Sequence, residues 1–107
     1  MPTPKGGKMA DTVVVTRHAS LVAYLREIGM IGVHARIIAH ATEADVLDQR
    51  VIGVLPMHLA ALAASVTEVP LALTAEDRQA MTAGDLTIER VREIAGIPVT
   101  YQVRVLS

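Results

Sequence analysis

The chain has 107 residues, a formal net charge of −1 and no cysteine, and 51% of it is hydrophobic. One domain is expected, without disulfide or thiol chemistry and without the broad basic surface that duplex nucleic acid requires; the missing cysteines suit a reducing cytoplasm. With no Phe, no Trp and only Tyr24 and Tyr101, the core must be built from small aliphatic side chains, and a sheet of aromatics for stacking single-stranded RNA is argued against.

Residues 1–11 are short, polar and basic. They read as a disordered arm, not a secretion signal, because no apolar stretch follows the charges. No apolar run in the chain is long enough to span a membrane. The remaining 12–107 reads as the folded domain.

Val13 to Thr16 reads as a buried strand. It runs into Arg17 and His18, after which Ser20 can cap a helix that carries Leu21, Val22, Leu25 and Ile28 on one face and stops at Gly29. "HARIIAH" (34–40) predicts a second strand, and His34 at its start reads as structural. Thr42 with Asp45 three residues on has capping-box spacing and predicts one or two helical turns. "RVIGVLP" (50–56) predicts a third, continuously apolar strand, followed by an alanine-rich helix over 57–65. "EVPLAL" (68–73) predicts a fourth strand, with Pro70 marking an edge or bulge. Thr74 and Thr87 cap helices expected near 75–82 and 88–95. "PVTYQVRVL" (98–106) alternates strictly and predicts a half-exposed antiparallel edge strand.

Strands alternating with helices imply right-handed βαβ units. The expected fold class is α/β: a single Rossmann-like domain, with a mostly parallel sheet, helices on both faces and a C-terminal edge strand. In such a sheet ligands bind beyond the carboxyl ends of the strands, where strand order reverses. The polar residues of the first three strands fall at those ends: Arg17 and His18 after the first, His40 after the second, His58 after the third. With strand one central, Arg17, His18 and His58 would share one crevice. Helix N-termini near Ser20 and Met57 would point free N–H groups into it, which favours an anion, phosphate above all. Gly53 adds a point of close backbone or ligand approach. Thr16, Ala19, Ser20, His40, Gly53, Leu55, Pro56 and Met57 are the candidate binding residues around the three catalytic candidates. A lone histidine at a strand end is most often a hydrogen-bonded surface residue, and it is their convergence that carries the argument. Three histidines could bind zinc, yet no HxH or HExxH spacing supports it, so neither metal nor cofactor is expected. Arg26, Glu27, Arg78, Arg90 and Arg92 read as solvated helix faces.

"VVVTRH" at the start and "VIGVLPMHLAALAA" (51–64), followed by "EVPLAL", resemble the Csx-sixteen family of small accessory proteins found beside type III CRISPR systems. The resemblance covers roughly residues 13–73; Ala19 stands where the family is expected to have proline, and 75–96 departs from the pattern. It implies a Rossmann-like (CARF-like) homodimer in the cytoplasm that handles cyclic oligoadenylate. Its activity would be that of a ring nuclease cutting cyclic tetra-adenylate without a metal, with Arg17 stabilising charge and His18 or His58 moving a proton. The same crevice could instead only sequester the ring. "TRHA" is also similar to the Arg-His motif of histidine phosphatases, but that site needs a second histidine and a further arginine far along the chain, and the last histidine here is His58.

Overall fold

The structure, a computed structural model, describes residues 12–106. The expected disordered arm lies outside the described residues. Five strands and five helices follow in the order β1 (Thr12–Val15), α1 (Ala19–Glu27), β2 (Arg36–Ile38), α2 (Glu43–Val46), β3 (Arg50–Gly53), α3 (Met57–Ala60), β4 (Ser65–Glu68), α4 (Ala75–Ala83), α5 (Ile88–Ile94) and β5 (Val99–Tyr101). They make one sheet in the order β2-β1-β3-β4-β5. The first four strands are parallel, and β5 joins β4 antiparallel as an edge strand. This is the expected α/β, Rossmann-like architecture.

Strand alternation sends neighbouring side chains to opposite faces. Val14 and Ile52 face α1, packing with Val22, Leu25 and Ile31. Val51 and Val66 face the other way, onto Val46 of α2 and Leu59 and Ala60 of α3. The sheet is therefore the middle of three layers. Leu25, Val13, Val14, Val46, Val51 and Val91 are fully buried, each contributing roughly 1.5–3 kcal/mol of apolar transfer.

α5 lies beside α1, tied to it by Arg92, whose Nε donates to Glu27 at 2.7 Å. α4 is held to α5 by a two-point pair from Arg90 Nε and Nη2 to the Asp77 carboxylate, at 2.8 and 2.9 Å. The same carboxylate accepts from the Thr74 amide, while Thr74 Oγ1 accepts from the Asp77 amide, closing a capping box. The Arg90 guanidinium first, then the Thr74 amide, hold the Asp77 carboxyl well below the usual carboxylate range. Thr42 and Asp45 form the second capping box, as their spacing predicts, and Arg36 pairs with Asp45. Thr87 caps α5.

Several boundaries differ from the expectations, each for a local reason. β2 is three residues, with His34 in the turn before it and His40 in the bend after it. β3 ends at Gly53, where φ is +143° and the chain leaves the ladder before Pro56. The helix expected over 57–65 stops at Ala60: Leu62 and Ala63 donate only three residues back, and Ala64 donates to Gln49 at 2.8 Å. The chain is thereby drawn into the sheet early, so β4 occupies 65–68 instead of 68–73. Pro70 then stands beyond the strand, which is interior and not an edge; only Leu71 returns, for one bridge to Ala95. β5 covers Val99–Tyr101 and not 98–106. α1 begins one residue before Ser20, with His18 at the cap position and no side-chain capping bond. No helix among the described residues is long and apolar enough to cross a membrane.

Candidate functional site

β1 and β3 are neighbours while β2 lies on the other side of β1. Helix connections must therefore leave in opposite directions at this point, and a crevice opens past the carboxyl ends of the strands. Its volume is about 510 Å³. Val15, Thr16, Arg17 and His18 form one wall and Ile52, Gly53 and Val54 the floor; Glu68 to Leu71, Leu73 and Met81 close the far side.

The turn from β1 into α1 is fixed by its own backbone. The Thr16 amide donates to Ile38 at 2.9 Å, and the His18 amide donates to Thr16 Oγ1 at 3.1 Å. The Leu21 and Val22 amides both donate to the His18 carbonyl. The amides of Ala19 and Ser20 are left at the open end of α1, the usual state of a helix's first turn. Arg17 is exposed and His18 half-buried. Both line the crevice and two shallower depressions next to it, one bounded by Met81 to Gly84, the other by Ala19, Arg26 and Ile37. Among the described residues no hydrogen bond or ion pair engages the Arg17 guanidinium. Arg36 is paired with Asp45, Arg90 with Asp77 and Arg92 with Glu27; among the described residues Arg26, Arg78 and Arg104, like Arg17, have no carboxylate partner, and of these four only Arg17 lines the crevice.

Gly53 is where β3 touches β1 most closely. A Cβ built on it would meet the Val15 carbonyl oxygen at 2.5 Å. Only glycine lets the two strands keep their register there while the chain turns out to form the floor.

The sequence-predicted residues divide. Thr16, Arg17, His18 and Gly53 meet in the crevice, and Ala19 lines the depression beside it. His58 does not join them. It is exposed on α3 and lines neither the crevice nor the apolar groove next to it, so the expectation of one crevice for Arg17, His18 and His58 is corrected. The reason is the layering: α3 packs its Leu59 and Ala60 against the face opposite α1, which carries His58 away from the Arg17 wall. His40 and Pro56 are exposed and Ser20 half-buried; none of the three lines the crevice, although Ala39 does. Leu55 and Met57 line the neighbouring groove, where Gly53, Val54 and Glu68 form the shared border. The expected N-terminus at Met57 belongs to a helix of four residues whose cap is Pro56, too short to concentrate a dipole.

Two charged residues of the site were not anticipated, nor was its apolar far side of Val69 to Leu71, Leu73 and Met81. Glu68 brings a carboxylate to the crevice, and Arg26, read as a solvated face, borders the depression beside Ala19. The rule that singles out polar residues at strand ends finds Glu68 once β4 is drawn at 65–68; drawn at 68–73, the same residue falls at the wrong end. No second histidine lines the crevice, so the phosphatase pattern is not assembled there. Among the described residues no three His, Asp or Glu side chains gather closely enough to share a metal ion.

A family model described as "Putative CRISPR-associated protein (Cas_VVA1548)" matches residues 13–104. No curated protein and no solved structure matches the chain.

Proposed function

The chain belongs to this CRISPR-associated family, and from that premise we propose that it is a ring nuclease that binds cyclic oligoadenylate, cyclic tetra-adenylate above all, and cuts it to linear products. The observation that carries the reading is Arg17: a guanidinium with no hydrogen bond or ion pair among the described residues, at the switch point where three depressions meet and His18 stands beside it. The closer assignment, to the Csx-sixteen family within type III CRISPR, rests on "VVVTRH" and "VIGVLPMHLAALAA".

The chemistry requires no protein nucleophile. A ribose 2′-OH attacks its own adjacent phosphorus in line, the P–O5′ bond breaks, and a 2′,3′-cyclic phosphate remains. Arg17 holds the non-bridging oxygens and neutralises the charge that grows on them. The Ala19 and Ser20 amides add a weaker pull on the same anion. His18 either takes the 2′-OH proton or protonates the departing 5′-oxygen. Thr16, whose Oγ1 accepts from the His18 amide, holds that turn in shape. A four-fold ring suits a two-fold axis, so the working unit is a homodimer with one Arg17 crevice on each side of the ring.

Sequestration is the second reading, and the position of His58 favours it: the crevice holds one imidazole where cleavage with separate acid and base would use two. One experiment separates the readings. Labelled cyclic tri-, tetra- and hexa-adenylate are incubated with the protein in EDTA, and bound ring and linear product are both measured. Linear product ending in 2′,3′-cyclic phosphate supports the nuclease. Tight binding without product over hours leaves a sponge. Turnover lost in EDTA and restored by zinc replaces the mechanism, and absence of binding removes both readings. Phosphate released from a generic phosphomonoester would revive the histidine-phosphatase reading.

A further inference from the structure

Next to the crevice, on the α3 side of the sheet, lies an apolar groove of about 220 Å³. Gly53, Val54 and Glu68 line both cavities, so the groove continues the crevice over the carboxyl rim of the sheet. Its remaining walls include Met57, 75% exposed, and Tyr101, 49% exposed, two large side chains left open to solvent.

Strand register sets what these groups can do together. Val66 stands opposite Tyr101 and Glu68 opposite Val99, so all four side chains share one face, while Thr67 and Thr100 bond to each other on the other face at 2.7 Å. Glu68 and Tyr101 are then diagonal neighbours, roughly 7–8 Å apart. Among the described residues no hydrogen bond or ion pair engages the Glu68 carboxylate. An apolar groove lined by an aromatic side chain and an unspent acceptor diagonal to it suits a planar heterocycle bearing an amino group.

We propose that this groove is an adenine subsite, in which the Tyr101 ring stacks on the purine and the Glu68 carboxylate accepts a hydrogen bond from the exocyclic amino group. The proposal rests on the nucleotide reading above and deepens it: Arg17 takes the phosphate in the crevice, and the attached base crosses the Gly53 edge into the groove. A purine with a 6-keto oxygen in place of the amine sets acceptor against acceptor at Glu68 and is disfavoured.

The test uses the whole protein with four probes: cyclic tetra-adenylate, its inosine counterpart, 5′-AMP and 5′-IMP. Tyr24→Phe leaves Tyr101 as the sole fluorophore, since the chain has no Trp. Adenine probes should quench it, and should bind about tenfold or more tighter than hypoxanthine probes. Glu68→Gln should erase that preference, because an amide can donate to the 6-keto oxygen. Tyr101→Leu should weaken both base types by roughly 5- to 150-fold, as loss of a base–aromatic stack does, and Tyr101→Phe should restore binding. If cyclic tetra-adenylate binds and neither variant alters affinity or base preference, the subsite is wrong and the nuclease reading stands. If AMP is preferred over IMP through Glu68 but no cyclic ring binds, the subsite stands and the ring reading falls. If Tyr101→Leu only halves the molar mass by light scattering, the groove is a contact between copies and the proposal is overturned. Failure of all four probes to bind overturns it as well.

Discussion

Replacing Gly53 with alanine tests whether the close contact of β1 and β3 shapes the crevice. The new Cβ would fall 2.5 Å from the Val15 carbonyl oxygen and 3.3 Å from its carbon, and both atoms belong to backbone. No side chain can swing aside, so either β1 or β3 must shift. A backbone angle of +143° adds conformational strain for any L-residue with a Cβ, of order 1–3 kcal/mol. Forced displacement of packed structure costs a further ~1–3 kcal/mol. The sum, about 2–6 kcal/mol, is a large part of what holds a domain of this size together. Gly84 supplies the internal control: its φ is +81°, and a Cβ there meets nothing within 4 Å. Gly84→Ala should therefore cost only about 1 kcal/mol. Urea denaturation of the two variants measures both, and the difference reports the clash together with the extra strain of +143° over +81°. In the crevice, Gly53→Ala should also speed amide exchange at Thr16, whose hydrogen bond to Ile38 sits beside the displaced end of β1. Equal destabilisation by the two substitutions would refute the argument, because strain alone would then account for both.

Arg17→Ala should leave the unfolding free energy within about 0.5 kcal/mol of the parent, since the side chain is exposed and has no partner among the described residues. Its cleavage of cyclic tetra-adenylate should fall on the order of 10²-fold or more, with weaker ring binding measured alongside. His18→Ala should lose about 10²–10⁴-fold in rate with little change in ring affinity, and His58→Ala should retain both; equal losses in the two would return His58 to the site. Leu25→Ala removes a side chain with no solvent exposure and should cost about 2–5 kcal/mol by denaturant titration. Acid should weaken the α4–α5 contact. The Asp77 carboxyl is depressed in the folded chain, so its stabilisation is present in full above the unfolded value near pH 4 and fades as pH falls below it. Asp77→Asn should flatten that part of the stability–pH curve, and a curve as steep as the parent's would assign the acid sensitivity elsewhere.

The succession of strands and helices and the place of Arg17 and His18 at the end of β1 were legible because both follow from local signals. "VVVTRH" shows where β1 ends, and parallel βαβ geometry dictates where that end points. Thr42, Thr74 and Thr87 marked helix starts because a hydroxyl three residues before an amide is a purely local match. What failed was non-local. The alanine run after Met57 has every local reason to continue as helix, and it stops because Ala64 finds the Gln49 carbonyl across the fold. That one bond moves β4 by three residues and turns Glu68 from a strand start into a rim residue. His58 was misplaced for a similar reason: strand ends share a rim, but the side of the sheet to which the next helix goes is set by packing.

Both margins of the sheet are three-residue strands, Arg36–Ile38 on one side and Val99–Tyr101 on the other. A growing β-ribbon needs a long, flat margin to template the next chain. Here an incoming strand would meet a ladder that runs out after one repeat. End-to-end polymerisation of sheets is thereby discouraged, even in a chain this rich in valine. Short margins leave the faces and the rim, where Arg17 stands, as the broader surfaces of the sheet.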